Sequence, residues 1–196
     1  MILTCGLDEA GRGPLAGPVF AGAVILPEDF PFEILNDSKK MTEKKREAAE
    51  KLIKEKACWA VSFVDEKKID EINILQASML AMKNAYDEML KKLPLWLKKN
   101  NFNLSEKIEI TAIADGTKCP EVLCSVRCEP KADGKYREVM AASILAKVAR
   151  DRLMLEYDKK YPEYGYAKHK GYPTKAHREV CRKIGPSPIQ RLSFKF

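Results

Sequence analysis

The stretch that decides the fold reads Gly6-Leu7-Asp8-Glu9-Ala10-Gly11-Arg12-Gly13-Pro14-Leu15-Ala16-Gly17. An apolar run precedes its two adjacent carboxylates, and a second apolar run, Val19 to Leu26, follows its glycine-rich turn. This pattern predicts a strand, a tight loop and a second strand, with the acids at the end of the first strand. Charge at the end of a buried strand is costly unless it is paired, so the two acids indicate a bound cation.

Two other interpretations of this loop are open. A surface hairpin with solvated acids is the simpler one, because adjacent acids are common on protein surfaces. A nucleotide-binding loop is the second, but the glycine spacing does not follow G-x-G-x-x-G and no Gly-Lys-Ser/Thr occurs. The glycines leave backbone N–H groups uncovered, so we expect a ligand to approach the main chain closely.

The composition describes a basic chain of ordinary hydrophobicity. Its 196 residues, 45% of them hydrophobic, predict one domain over residues 1–196, with a helical C-terminal portion at about 137–196. Lysine and arginine number 35 against 28 aspartate and glutamate, a net charge of +7. This balance favours an anionic partner, most commonly nucleic acid. We expect a monomer.

Six cysteines occur without a secretory signal before them. Reduced thiols and a cytoplasmic location are therefore expected. Cys119, Cys124 and Cys128 raise the question of zinc, but their spacing is not C-x-x-C, and buried apolar thiols are favoured. No apolar segment is long enough to span a bilayer, so no membrane partner is expected.

Strand and helix patterns alternate along the rest of the chain. Further strands are predicted at Cys58 to Val64, Ile108 to Ala114 and Val122 to Cys128, and helices at Glu43 to Lys56, about Ile74 to Leu93, Arg137 to about Lys160, and from a Thr174 cap to Ile184. This order predicts an α/β fold, a five-stranded mixed β-sheet flanked by helices, with an antiparallel hairpin at its start.

Acidic residues follow several of the predicted strands. Asp8 and Asp115 converge if their strands are parallel neighbours, and Asp133 follows another strand. Together with Glu9 they make four candidate carboxylates, a donor set that suits Mg²⁺ or Mn²⁺. Two such ions are the usual arrangement for displacement at phosphorus. Adjacent strand residues point to opposite faces, so Glu9 must reach around the strand end or the strand must twist there.

These motifs resemble those of the ribonuclease HII family, the type 2 ribonucleases H, over nearly the whole chain. The resembling segments are 6–14, 37–40, 73–79, Asp115-Gly116 with Pro120, 141–151 and 169–174. The resemblance implies an RNase H-like fold and hydrolysis of the RNA strand of RNA–DNA hybrids. It also implies incision of duplex DNA beside single embedded ribonucleotides.

The resemblance assigns roles by motif position. The family's catalytic, metal-binding acids fall on Asp8, Glu9, Asp115 and Asp133, which would hold two divalent ions. Its backbone reader of the ribose 2′-hydroxyl falls on Gly11, Arg12 and Gly13. Its tyrosine at the RNA–DNA junction falls on Tyr172.

Two departures from the family pattern leave alternatives open. Asp133 follows Lys131-Ala132 where the family often has Lys-Gly, so Glu129 and Glu138 are rivals for the fourth acid. The tail Arg191-Leu192-Ser193-Phe194 keeps part of the family's ending, but Gln190 stands where histidine is usual.

The basic residues are candidates for phosphate contacts, with solvated surface charge as the alternative. The candidates are Lys39, Lys40, Lys147, Arg150, Lys168 and Lys170. A non-catalytic nucleic-acid-binding module is the competing function, but such a module gains nothing from four carboxylates near a polyanion. In the tail, Gln190, Leu192, Phe194 and Phe196 loosely suggest a peptide that docks on a sliding clamp; packing of Phe194 on the body is the alternative.

Overall fold

The computed structural model of the chain describes residues 1–36, 38, 40–102 and 107–195. Within them, one sheet has the strand order β3-β2-β1-β4-β5. Strand β1 pairs antiparallel with β2 and parallel with β4; β2–β3 is antiparallel and β4–β5 parallel. The strands are β1 Ile2–Ala10, β2 Val19–Ile25, β3 Cys58–Val64, β4 Glu109–Asp115 and β5 Ser125–Glu129. The predicted five-stranded mixed sheet is confirmed.

Helices flank this sheet. In the described residues they are α1 Glu43–Lys56, α2 Glu66–Lys99, α3 Arg137–Lys160, α4 Tyr166–His169 and α5 Lys175–Ile184. Because α3, α4 and α5 all follow the last strand, the helical C-terminal part is confirmed as well. None of these helices is long and apolar enough to cross a membrane.

Helix α2 extends further than the predicted segment of Ile74 to Leu93. It has a break at Asn73, whose φ of 66° is left-handed. The Asn73 side chain accepts hydrogen bonds from the backbone N–H groups of Leu75 and Gln76, at 3.0 and 3.1 Å, and so caps a second helical segment. The first segment was missed because its residues are mostly polar.

Two glycines let α3 lie directly on the sheet. A Cβ built on Gly6 of β1 would lie 2.1 Å from the backbone of Glu138, and one on Gly22 of β2 would lie 2.5 Å from the Ala142 carbonyl oxygen. Any side chain at either position would push α3 away from the strands. The close approach places the N-terminal half of α3 beside the acids of β1.

The sequence predicts the acids at the end of the first strand, and both acids lie among the last residues of β1. The strand continues through Asp8 and Glu9, because β2 pairs with it over this whole length. Its other neighbour, β4, pairs with it only as far as Leu7 beside Ala114. Asp8 and Asp115 are therefore the next residues at the point where the two parallel strands separate.

The expectation of reduced thiols is wrong for one pair of cysteines. Cys119 and Cys128 form a disulfide, with their Cα atoms 5.5 Å apart. The loop after β4 turns back beside β5 and brings the two residues together. Cys124 remains a free thiol, so the three neighbouring cysteines do not form a zinc site.

The tail packs on the body where the clamp-binding interpretation needs it free. Gln190 is 3% exposed and forms an isolated β-bridge with Ala16. Phe194 packs against the core under α2, with its ring 5.2 Å from the Arg191 guanidinium carbon. Leu192 is 68% exposed. The expected use of Gln190 in a docking peptide is therefore corrected, because its side chain is enclosed.

Candidate active site

Three of the four predicted acids meet beside the end of β4. Carboxylate oxygens of Asp8, Asp115 and Asp133 all lie within 4.8 Å of one another. Asp8 and Asp133 are buried and Asp115 is half-buried. Across the described residues, this is the one group of three acids, histidines or cysteines close enough to share a metal ion.

The third acid is brought to the other two by a short turn. The Asp115 carboxylate accepts a hydrogen bond of 2.8 Å from the backbone N–H of Ala132. Ala132 opens a 3₁₀ turn that carries Asp133, and Lys131 enters this turn with a left-handed φ of 62°. The side chain at the end of β4 thus anchors the backbone that presents Asp133.

The cluster is electrostatically unfavourable without a cation. Burial raises the pKa of the Asp8 carboxyl well above its usual value, and the negative charges of Glu9 and Asp115 raise it further. A hydrogen bond with Ser143 acts in the opposite direction. Three crowded carboxylates, two of them buried, are the donor set that a hard divalent cation prefers. The residues present therefore fit the metal implied by the sequence.

Glu9 lies outside this group of three. Its Oε1 is 3.4 Å from Nη1 of Arg12, and its side chain is mostly buried. Because Glu9 follows Asp8 within a paired strand, its direction differs from that of Asp8. Its metal-binding role stays a prediction.

The two rivals of Asp133 have other partners. Glu129 accepts hydrogen bonds from Lys135 and from the Tyr136 hydroxyl, and these contacts lower its pKa. Glu138 pairs with Nε of Arg137 at 2.9 Å. Neither belongs to the group that Asp133 forms with the acids of β1 and β4.

A cavity of about 410 Å³ opens beside the acids. Its lining includes six of the predicted site residues, Glu9, Gly11, Arg12, Gly13, Lys147 and Tyr172, together with Ala10, Ser38, Arg46 and Ser143. The glycine-rich loop forms one wall and the Tyr172 loop meets it. A Cβ on Gly13 would lie 3.7 Å from Cε1 of Tyr172.

The backbone of Tyr172 is fixed by two histidines whose rings stack 4.5 Å apart. Its N–H donates to the His169 carbonyl at 2.8 Å, and its carbonyl accepts from Nδ1 of His177 at 3.0 Å. Nδ1 of His169 accepts from the N–H of Gly171. These bonds hold the loop while the Tyr172 side chain stays 40% exposed.

The predicted phosphate contacts divide into several groups. Lys147 faces the cavity and pairs with Asp151 at 2.8 Å. Lys170 donates its ammonium group to the Ala167 carbonyl, and Lys40 lines a different cavity, against α1. Lys168 is exposed, and Lys39 falls outside the described residues.

For Arg150 the expectation of a phosphate contact is wrong. It is 1% exposed and donates to the backbone carbonyls of Ala16, Pro18 and Lys170. Its position in an alternating basic helix gave no sign of this burial.

Sequence reasoning missed three residues of the cavity. Ser38 and Ser143 are buried and share a hydrogen bond of 2.9 Å between their hydroxyls. Both lie inside motifs already singled out, so their motif membership was the available signal. Arg46 donates to the Ser38 carbonyl at 2.9 Å, and nothing in the pattern of α1 distinguishes it from the neighbouring surface cations.

Comparison with known proteins gives a consistent picture. The family model described as Ribonuclease HII matches residues 5–196. A Ribonuclease HII from Treponema denticola is 55% identical over 196 residues, covering 98% of each chain. The ribonuclease H2 structure from Pyrococcus horikoshii has a TM-score of 0.71 at 27% identity, covering 98% of this chain and 94% of its own. The RNase HII in the PCNA:RNase HII complex from Archaeoglobus fulgidus has a TM-score of 0.67 at 25% identity, covering 99% and 96%.

The sheet order, the acid cluster and these matches agree with the resemblance of the motifs. The chain belongs to the ribonuclease HII family of metal-dependent endoribonucleases.

Proposed function

We propose that this chain hydrolyses the RNA strand of RNA–DNA hybrids and incises duplex DNA at embedded ribonucleotides, with the cavity beside the acid cluster as its active site. The observation that carries the proposal is the convergence of Asp8, Asp115 and Asp133 within 4.8 Å. The cavity beside them is open and basic at its rim. It suits a polyanion better than a small apolar ligand.

Asp8, Asp115 and Asp133, with Glu9 beside them, would hold two Mg²⁺ or Mn²⁺ ions. Bound there, such ions supply Lewis acidity that favours ionisation of water and stabilises the leaving oxygen. The chain itself supplies the acids at fixed positions. The Asp115–Ala132 hydrogen bond keeps Asp133 in place, and the Ser38–Ser143 pair stands beside Asp8.

Recognition of the ribose falls to the main chain of Gly11, Arg12 and Gly13. The 2′-hydroxyl is both a donor and an acceptor, and it is the group that distinguishes RNA from DNA. Backbone groups can bond it whatever the base, which suits an enzyme without sequence preference. The Tyr172 ring, across the cavity from Gly13, would pack on the deoxyribose beyond the ribonucleotide, where an additional hydroxyl would clash.

Binding to the phosphates would use the cations around the cavity. Arg12, Arg46 and Lys147 line it, and the net charge of +7 supports a polyanionic partner. Lys40 and Lys170 are proposed as more distant contacts, because their side chains face away from the cavity lining.

A contact with a sliding clamp is a second proposal for the tail. The Archaeoglobus fulgidus relative forms a complex with PCNA. Among the tail residues up to 195, which the structure describes, Leu192 is the exposed large apolar residue, while Gln190 is enclosed and Phe194 packs on the body; Phe196 lies outside the described residues. The contact would therefore use Leu192, and loss of clamp binding in Leu192→Ala would test it.

The test of the main proposal is incubation with Mg²⁺ and a DNA duplex that carries one ribonucleotide, followed by mapping of the cut. We expect incision beside the ribonucleotide, and none of an all-DNA duplex or of a duplex with a 2′-O-methyl group at that position. Binding without incision would favour the non-catalytic module instead.

A further inference from the structure

Two arginines are buried in the body of the protein. Arg150 is 1% and Arg191 0% exposed. Among the described residues, no carboxylate lies within ion-pairing distance of either guanidinium. Burial and the charge of Arg150 lower the pKa of Arg191 to about 9. A buried charge is costly unless hydrogen bonds compensate it, so Arg191 needs hydrogen-bond acceptors within the fold.

Arg191 binds the glycine-rich loop through backbone carbonyls alone. Its Nη2 donates to Gly11 at 2.6 Å, and its Nη1 donates to Arg12 at 3.0 Å and to Pro14 at 2.8 Å. Its Nε donates to Gly17 at 2.8 Å. One planar side chain therefore gathers carbonyls from both ends of the loop, which a point charge such as lysine cannot do.

These bonds determine where the amide groups of the loop point. In a trans peptide the C=O of one residue and the N–H of the next are antiparallel. Because the carbonyls of Gly11 and Arg12 point inward to Arg191, the N–H groups of Arg12 and Gly13 point outward. Both residues are exposed, and neither N–H has an acceptor within the described part of the chain.

The tail that carries Arg191 is itself anchored. Asp70 of α2 accepts hydrogen bonds from the N–H groups of Leu192 and Ser193, at 2.8 and 2.9 Å. The Phe194 ring covers the guanidinium. A continuous series of contacts therefore connects the surface of α2 to the glycine-rich loop. Asp70 fixes the tail, and the tail fixes Arg191.

We propose that Arg191 is a positioning residue for ribose recognition, which it secures by turning the Arg12 and Gly13 amide groups toward the substrate; this rests on the function proposed above. Arg191 touches no substrate. Its effect is on which atoms of the loop face the 2′-hydroxyl. The C-terminal tail, which shows no periodicity, thereby becomes part of the recognition apparatus.

The test compares binding of two duplexes, one all-DNA and one with a single ribonucleotide, by fluorescence anisotropy with divalent metals chelated. The ribose preference is the dissociation constant for the all-DNA duplex divided by the dissociation constant for the duplex with one ribonucleotide. Arg191→Lys should lower this ratio about tenfold, roughly the contribution of one hydrogen bond, and leave the affinity for all-DNA duplex unchanged. Arg182→Lys, the same change at an exposed arginine of α5, is the control.

Two additional variants separate positioning from general stability. Asp70→Ala loosens the tail from the surface and should lower the ratio in the same direction, whereas its exposed neighbour Glu71→Ala should not. Ile53→Val removes a buried methyl group far from the loop; it should lower the melting temperature without changing the ratio. If Arg191→Lys does not fold, Asp70→Ala decides.

The outcomes are distinguishable. A preference in the unmutated protein that survives in both Arg191→Lys and Asp70→Ala overturns the role of Arg191 alone. A ratio that falls equally in Ile53→Val shows that the effect is only one of stability, and this also overturns it. An unmutated protein that binds both duplexes equally overturns this inference, whereas the proposed function fails separately, if the unmutated protein does not incise the ribonucleotide duplex in Mg²⁺.

Discussion

Gly13 faces the ring of Tyr172 across the cavity, and a methyl group on Gly13 would lie 3.7 Å from Cε1 of that ring. That distance is an ordinary van der Waals contact, so the folded protein has room for the methyl group. The space it would fill is the space between the two proposed recognition elements.

Gly13→Ala should therefore fold normally and lose cleavage. We expect a change in unfolding free energy within about 0.5 kcal/mol, because the position is exposed and its φ is not left-handed. Cleavage at a single ribonucleotide should fall at least tenfold, mainly through KM. Steady-state kinetics together with urea unfolding check both parts.

Gly11→Ala, the same substitution in the same loop, should instead destabilise the fold. Gly11 has a φ of 104°, and a Cβ there would lie 2.2 Å from Nε of Arg150. We expect a loss of roughly 2 kcal/mol or more in unfolding free energy. A Gly11→Ala protein as stable as Gly13→Ala would contradict the packing of Arg150 under the loop.

Asp115→Asn should abolish cleavage while keeping the fold. The amide oxygen can still accept the hydrogen bond from Ala132, whereas the charge that would hold a cation is lost. We expect at least about a 100-fold fall in kcat with a melting temperature that does not fall, because the loss of one charge relieves repulsion among the acids. Near-normal turnover in Mg²⁺ would remove Asp115 from the site.

Asp133→Asn should lower activity at limiting Mg²⁺ and recover partly at higher concentrations, because Asp133 contributes one of several carboxylates. The comparison is with Glu129→Gln and Glu138→Gln, whose side chains pair with Lys135 and Arg137. Titration of activity with Mg²⁺ distinguishes them. If either glutamate variant shows the metal-dependent loss and Asp133→Asn does not, the fourth acid is misassigned.

Tyr172→Ala should fold normally and lose most cleavage at single ribonucleotides, with a smaller loss on all-RNA hybrid strands. Its backbone bonds to His169 and His177 do not require the ring. Relative rates on the two substrates give the result. An unchanged preference would remove the ring from junction recognition and leave the backbone reader intact.

Acid should weaken the fold through the two histidines. Burial lowers the pKa of both His169 and His177, so the unfolded chain binds more protons than the folded one below the ordinary histidine pKa of about 6.5. The contribution of the histidines, measured as the difference in unfolding free energy between the unmutated protein and His177→Asn, should be constant from pH 8 to 7 and become less favourable to the folded state below about 6.5. These are the two histidines of the chain, so a flatter profile in His177→Asn is the expected control result.

The convergence of Asp8 and Asp115 was predictable, because two apolar strands that end in acids and lie parallel must bring those acids to one edge. The choice of Asp133 over Glu129 and Glu138 was not predictable. It depends on one hydrogen bond, from the Ala132 N–H to the Asp115 carboxylate, and the pattern of residues gives no sign of this bond.

The larger errors of the sequence-based predictions concern residues whose environment depends on long-range contacts. Arg150 and Arg191 resemble surface cations in sequence, and their burial follows from carbonyls that only the folded loops bring together. The first segment of α2, which carries Asp70, was missed because its stability comes from the packing of Ile69 and from the tail and not from an apolar period.

Helix α3 joins the two ends of the site. Ser143 stands beside Asp8, and Arg150, about two turns later, holds the Lys170 carbonyl next to Tyr172. A helix hardly changes length, so the interval between these points is fixed at roughly 10 Å. In the function proposed above, the helix would act as a fixed spacer that sets which phosphodiester is cut relative to the ribose. One residue inserted between Ser143 and Arg150 would rotate these two side chains by about 100° relative to each other. The acid cluster and the Tyr172 loop could then not both keep their contacts with the helix.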